Sequence, residues 1–141
     1  MAGTELELDI LSPAKKLFSG KVTEVVLPAY DGEVGVLPGH VSFVGVLGTG
    51  PLKIVRGGDD FWFMVSSGLY QITEDKVTIF AELAEDAKSI NLEGEEAKVK
   101  ELESKLASPS EYTLEEYPRL KLDADRARAR VDVHKRTELL N

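Results

Sequence analysis

Apolar and polar residues alternate from the start of the chain. Leu6, Leu8 and Ile10 interleave with Glu5, Glu7 and Asp9, the period of two that marks a strand with one buried and one wet face. Val22 to Leu27 is rich in β-branched residues. Leu52–Val55 and Phe61–Val65 flank Arg56-Gly57-Gly58-Asp59-Asp60, whose Gly-Gly centre permits positive φ and predicts a hairpin turn. Phe61–Val65 is apolar at every position, which predicts cover on both faces. Leu69–Thr73 and Val77–Ala81 flank Glu74-Asp75-Lys76 as another hairpin. Between Leu27 and Val44, Pro28, Gly32, Gly35, Pro38 and Gly39 break the apolar stretches into short pieces, so tight turns and outward-facing side chains are expected there. Eight or more short strands at such spacing predict a sandwich or flattened barrel.

The pattern changes near Glu82. From Leu92 onward glycine almost disappears, and Leu92, Val99, Leu102 and Leu106 recur along one narrow helical stripe. Asn91 is placed to cap this helix, and Glu93, Glu95 and Glu96 suit the positive end of its dipole. Glu96 with Lys100, and Glu101 with Lys105, stand at the favourable i,i+4 spacing. Ala107-Ser108-Pro109-Ser110 ends the helix. Thr113 and Glu116 have the spacing of a capping box. Pro118 inside a helix would cost about 3 kcal/mol, so a short turn over 113–117 and a main helix from Pro118 to about Leu140 are expected. Leu120, Ala124, Ala127 and Val131 form one stripe of that helix; Leu122, Ala129, Val133 and Leu140 form a neighbouring one. Both are thin and Ala-rich, so the helices must lean on another surface. The expected class is α+β: an N-terminal β-sandwich (flattened barrel), residues 1–88, followed by a C-terminal antiparallel helical hairpin, residues 89–141.

Charge sharpens this division. The net charge of −8 argues against a general nucleic-acid binder. Residues 1–118 carry a balance of −11, whereas 119–136 carry +4. A basic segment on an acidic protein fits an acidic docking partner, this chain's own body included, or else a solvated helix face. The 141 residues contain no cysteine and only two histidines, His40 and His134, which excludes a disulfide framework, a cysteine nucleophile and a zinc cluster of the usual nitrogen and sulfur ligands. No uncharged apolar run approaches the ~20 residues of a membrane span.

Reactive constellations are missing. Ser66-Ser67-Gly68 lacks the flanks of a nucleophile elbow. Gly48-Thr49-Gly50 and Gly57-Gly58 are followed by neither a helix nor a Lys-Ser/Thr pair, so they read as strand turns rather than phosphate loops. His40 reads as a surface contact or a plain turn residue, and His134, among basic neighbours, as solvated. No catalytic, cofactor-binding or metal-ligating residue is assigned.

Three stretches together carry a resemblance: Leu8-Asp9-Ile10-Leu11-Ser12-Pro13, Leu17-Phe18-Ser19-Gly20, and Gly32-Glu33-Val34-Gly35-Val36-Leu37-Pro38-Gly39-His40. With Val77-Thr78-Ile79 and Ala84-Glu85 closing the β part, the chain resembles the epsilon subunits of F-type ATP synthases over essentially its whole length. The resemblance implies a non-catalytic rotor part that needs no cofactor. The sandwich would bind the gamma shaft and the membrane c-ring, helping to couple proton flow to ATP synthesis. Asp31, Glu33 and His40 would lie on the ring-facing side. The hairpin would fold against the sandwich or extend along gamma into the alpha/beta catalytic head and block ATP hydrolysis. There Arg126, Arg128, Arg130, Lys135 and Arg136 would meet an acidic segment of a beta subunit. An N-terminus without signal or transit character points to a peripheral position on the cytoplasmic face of a bacterial inner membrane rather than to a mitochondrial precursor.

Two departures from the family pattern stand out. Some members bind ATP through Ile/Leu-Asp-x-x-Arg-Ala at the start of the first helix; here Ile90-Asn91-Leu92-Glu93-Gly94-Glu95 replaces the aspartate and the arginine, so no regulatory ATP site is expected there. The usual Ser-Gly-Gly of the sandwich is Ser66-Ser67-Gly68, a mild change only if position 67 does not need positive φ. The alternative to the rotor reading is a stand-alone β-sandwich protein-binding module whose helices dimerise.

Overall fold

The computed structural model describes residues 5–39 and 42–139. Eight strands come first: β1 (Leu6–Leu11), β2 (Lys16–Val22), β3 (Glu24–Ala29), β4 (Gly32–Val36), β5 (Phe43–Val46), β6 (Thr49–Arg56), β7 (Asp59–Thr73) and β8 (Lys76–Asp86). Two helices follow, α1 (Leu92–Leu106) and α2 (Glu116–Leu139). The strands join in the order β2-β1-β8-β7-β6-β3-β4, with β5 added against β7. Neighbours run antiparallel except β1 and β8, which are parallel, Leu8 opposite Val77 and Ile10 opposite Ile79. The sheet folds over a core in which Leu6, Ile10, Leu27, Leu52, Ile54 and Ile79 are fully buried.

The runs Phe61–Val65 and Leu69–Thr73 belong to one fifteen-residue strand, β7. Its first half pairs with β6 as far as Ser66, and its second half pairs with β5 from Leu69. The corner between the halves is Ser67 at φ 63° and Gly68 at φ 120°. Position 67 therefore does need positive φ, and the serine there holds a conformation that glycine adopts more cheaply. Two-sided cover begins one residue later than the sequence predicts. Phe61 is exposed, whereas Phe63 and Val65 enter the sandwich core and Trp62 and Met64 lie on the opposite face, under α2.

Asn91 caps α1 by accepting the Gly94 amide at 3.0 Å. Lys105 pairs with Glu101 at 3.3 Å, and Lys98 reaches Glu95 at 3.6 Å, while the expected Glu96–Lys100 pair does not close. The capping box of α2 forms with both bonds in place: the Glu116 amide to Thr113 Oγ1 at 3.0 Å and the Thr113 amide to Glu116 Oε1 at 2.9 Å. The box starts α2 at Glu116, two residues before Pro118. The proline then sits in the first turn, where its missing amide is least needed.

The stripes of α2 bury against different surfaces. Leu120, Ala124 and Ala127 pack on Val99, Leu102 and Leu106 of α1. Ala129 and Val133 pack on Trp62, Met64, Leu83, Ala87 and Ile90. Leu140 lies outside the described residues. The hairpin is thus seated on the outer face of the sheet, where burying Met64 and Val133 contributes about 1.5–3 kcal/mol each.

Candidate functional site

Three surfaces carry chemistry suited to binding. The first is the β3–β4 hairpin. Gly32, at φ 139°, lets the chain reverse just after Tyr30 and Asp31, which leaves both side chains in solvent. Glu33 follows on β4, also exposed, and its carboxylate lies 3.9 Å from Arg136 Nη1. His40 lies outside the described residues. Asp31 and Glu33 share one hairpin, but their charges act on different neighbours.

Asp31 acts on Tyr70. Burial raises the Tyr70 pKa above its usual 10.0, and the Asp31 carboxylate raises it further. The phenol ring fills the space over β5, where a Cβ on Gly45 would come within 2.3 Å of it. A native pKa above the unfolded one means that the folded state holds this proton more tightly. The associated stability is present below about pH 10 and is lost as pH rises through the raised native value. Asp31→Asn should lower the Tyr70 pKa while leaving it above the ordinary value, because burial is the larger cause. Tyrosinate absorbance, read against Tyr70→Phe, measures this; an unchanged curve would remove Asp31 from the account.

The second surface is an apolar ladder. Val46 stands opposite Leu69, which stands opposite Phe80, and these three are 54%, 50% and 46% exposed. Val44 continues the ladder along β5, and the backbone of Tyr30 bonds to Val46. The sequence pattern did not single out this face. Leu69 and Phe80 neighbour core residues Tyr70, Ile79 and Ala81 in the chain, and only the pleat shows that they point the other way.

The third surface is the basic side of α2. Arg130 is mostly buried. Its Nε and Nη2 donate to the two oxygens of Glu85 at 2.6 and 3.3 Å, and its Nη1 reaches Glu95 at 3.5 Å. Burial opposes its charge, but these carboxylates outweigh burial, and the net shift of its pKa is upward. Arg126, also mostly buried, donates from Nε to Ser66 Oγ at 2.7 Å and lies 3.7 Å from Glu82. Ser66 in turn shares a hydrogen bond with Thr49 at 2.8 Å. Arg136 bonds to Asp132 at 2.9 Å and covers the Trp62 ring at 5.5 Å. Arg128 is half exposed and pairs with Glu103 and Asp125. Lys135 is exposed beside the groove between the helices. Both readings of this basic segment are realised in part: Arg126 and Arg130 dock on acids of the sandwich, whereas Arg119, Lys121, Arg128 and Lys135 lie on a solvated face. His134 is half-buried rather than solvated, its Nδ1 3.7 Å from Glu138.

Asn91 and Gly94, which replace the aspartate and arginine of the nucleotide motif, are occupied in capping α1. Among the described residues no three His, Asp or Glu side chains converge as metal ligands, and no helix is long and apolar enough to cross a membrane. The three surfaces are equipped for binding by apolar contact and by charge.

The profile of the family described as ATP synthase, Delta/Epsilon chain, beta-sandwich domain matches residues 5–87. Among relatives named ATP synthase epsilon chain, that of Nitratidesulfovibrio vulgaris strain Miyazaki F is 42% identical over 88 residues, 62% of this chain and 66% of that relative. That of Desulforamulus reducens is 37% identical over 77% of this chain and 81% of the relative. That of Nitratidesulfovibrio vulgaris strain DP4 is 34% identical over 91% and 94%. A chain in the structure of the Euglena gracilis mitochondrial ATP synthase, OSCP/F1/c-ring, superposes with a TM-score of 0.81 at 19% identity, covering 99% of this chain and 84% of that one. At that identity the likeness is one of fold, and it extends through both helices.

Proposed function

The chain belongs to the ATP synthase epsilon-chain family, non-catalytic subunits of that complex, and on that premise we propose that it is a central-stalk part whose sandwich holds the rotor together and whose hairpin regulates it. Residues 1–88 are the binding unit. The exposed ladder Val46–Leu69–Phe80 takes the gamma subunit, and the turn with Asp31, Glu33 and His40 meets the polar loops of the c-ring. Apolar contact supplies affinity and polar turn residues supply register. Proton flow through the ring thereby turns gamma, and the protein stays peripheral, on the cytoplasmic face of the membrane.

Residues 89–141 are the regulator. When the hairpin leaves the sandwich, Arg126, Arg128, Arg130, Lys135 and Arg136 are free to meet acids of a beta subunit in the catalytic head, opposing ATP hydrolysis. Family membership sets aside the stand-alone binding module.

The observation that carries this reading is the solvent-facing ladder on a rigid sheet, a surface that calls for a partner. The test adds three chains to an epsilon-depleted catalytic complex: full length, one stopped after Lys88, and Leu69→Glu. Full length should bind and slow hydrolysis, and the shortened chain should bind without slowing it. A charge in the middle of the ladder should weaken binding by at least about tenfold. Equal affinity of the Leu69→Glu chain would move the gamma site elsewhere, and inhibition by the shortened chain would take the regulatory role from the hairpin.

A further inference from the structure

Arg130 of α2 ties the second helix to both β8 and α1. Its guanidinium forks onto Glu85 of β8 and touches Glu95 of α1, which also receives Lys98 at 3.6 Å. The four side chains form a charge-neutral group, and those of Arg130 and Glu95 are only 14% and 15% exposed. Arg128 and Lys135, on the outward side, are exposed. Arg126 adds a second anchor through Ser66, which itself is fully buried.

We propose that Arg130, Glu85 and Glu95 form a latch in which Glu85 occupies the guanidinium that the inhibitory contact needs, so that this ion pair sets the share of chains able to inhibit. The inference rests on the inhibitory role of the hairpin given above. A bidentate carboxylate on β8 offers Arg130 the same chemistry as an acidic side chain on a partner. Equal chemistry at both places leaves a small difference between docked and released hairpins, the condition for a two-state element. The apolar seat, Ala129 and Val133 on Trp62, Met64, Leu83, Ala87 and Ile90, lies next to this ion pair, so the two hold α2 together. Removing one carboxylate from a mostly buried arginine leaves its charge undercompensated, which favours release.

The test uses the full-length chain with Glu85→Gln, Arg130→Gln and the control Glu82→Gln, whose carboxylate is exposed and only 3.7 Å from Arg126. Amide exchange along α2 and Trp62 emission report docking in the isolated chain. Inhibition of an epsilon-depleted catalytic complex reports release in function. Glu85→Gln should speed α2 exchange by about tenfold and lower the concentration for half-inhibition several-fold. Glu82→Gln should change neither by more than about twofold. Arg130→Gln should speed exchange but weaken inhibition, because the shared guanidinium is gone. Unchanged sandwich exchange in each variant excludes unfolding as the cause. Wild-type exchange in Glu85→Gln overturns the latch, and stronger inhibition by Arg130→Gln overturns the sharing. If both variants release the hairpin and no chain inhibits, wild type included, the latch is supported and the inhibitory reading falls.

Discussion

Gly68→Ala should cost about 3–5 kcal/mol of stability, a loss reserved for substitutions with a named backbone cause. The cause is steric. Gly68 has φ 120°, and a Cβ there would lie 1.9 Å from the Phe80 carbonyl oxygen. That oxygen belongs to the facing β8 backbone, Gly68 being paired with Ala81, so it cannot swing aside as a flexible side chain would. Relief requires β7 and β8 to part at the corner where β7 changes partners, which would also disturb the Leu47 amide bond to the Gly68 carbonyl at 2.9 Å. Urea unfolding followed by far-UV circular dichroism measures the loss. The neighbouring position gives the opposite sign: at φ 63°, Ser67→Gly should gain about 0.5–1 kcal/mol by relieving strain. A Gly68→Ala protein as stable as wild type would mean that the corner can open freely.

Val133→Asp should release the hairpin almost completely while the sandwich stays folded. Val133 is fully buried among Met64, Ala87 and Ala129. An unpaired carboxylate in that setting costs several kcal/mol, comparable with everything the narrow apolar seat contributes. The sandwich core, a separate cluster built on Leu6, Ile10, Leu27 and Ile54, loses nothing directly. Trp62, the one tryptophan of the chain, lies at the seat under Arg136, so its emission should shift to the red as the helix leaves. Amide exchange in α2 should rise toward that of an isolated helix, and β-strand exchange should stay slow. Unshifted emission with a protected α2 would show that the ion pairs hold the hairpin without the seat. Simultaneous loss of sandwich protection would show that hairpin and sandwich are one cooperative unit.

Much of this architecture was legible because it is local. Alternation gave β1, the Gly-Gly turn gave β6–β7 and Asn91 gave the start of α1, whereas α2 begins at Glu116, two residues before the expected Pro118, because the Thr113–Glu116 box forms and tolerates the proline in the first turn. The thin stripes of α2 announced a helix that needs a second surface, and the structure supplies it. The features that stayed hidden depend on pairing between distant residues. Ser66-Ser67-Gly68 looked like a break between strands because a corner at positive φ uses the residues of a turn. The exposed ladder was invisible because its members neighbour core residues, and only the pleat separates them. The charge balance left an acidic partner, the chain's own body included, and a solvated face as alternatives, and nothing local marks Glu85 as the partner of Arg130, forty-five positions away.

The parallel pairing of β1 with β8 also orders events during synthesis. β1 and β2 can form a hairpin as soon as they leave the ribosome, yet Leu8 and Ile10 gain their neighbours on the other side only when Val77 and Ile79 arrive. Until then an apolar edge is open to other nascent chains, the usual hazard of long-range strand pairing. The strand that closes the sandwich leads directly into the helices, so the seat for α2 is complete just before α2 itself emerges. The hairpin therefore emerges next to its own docking surface.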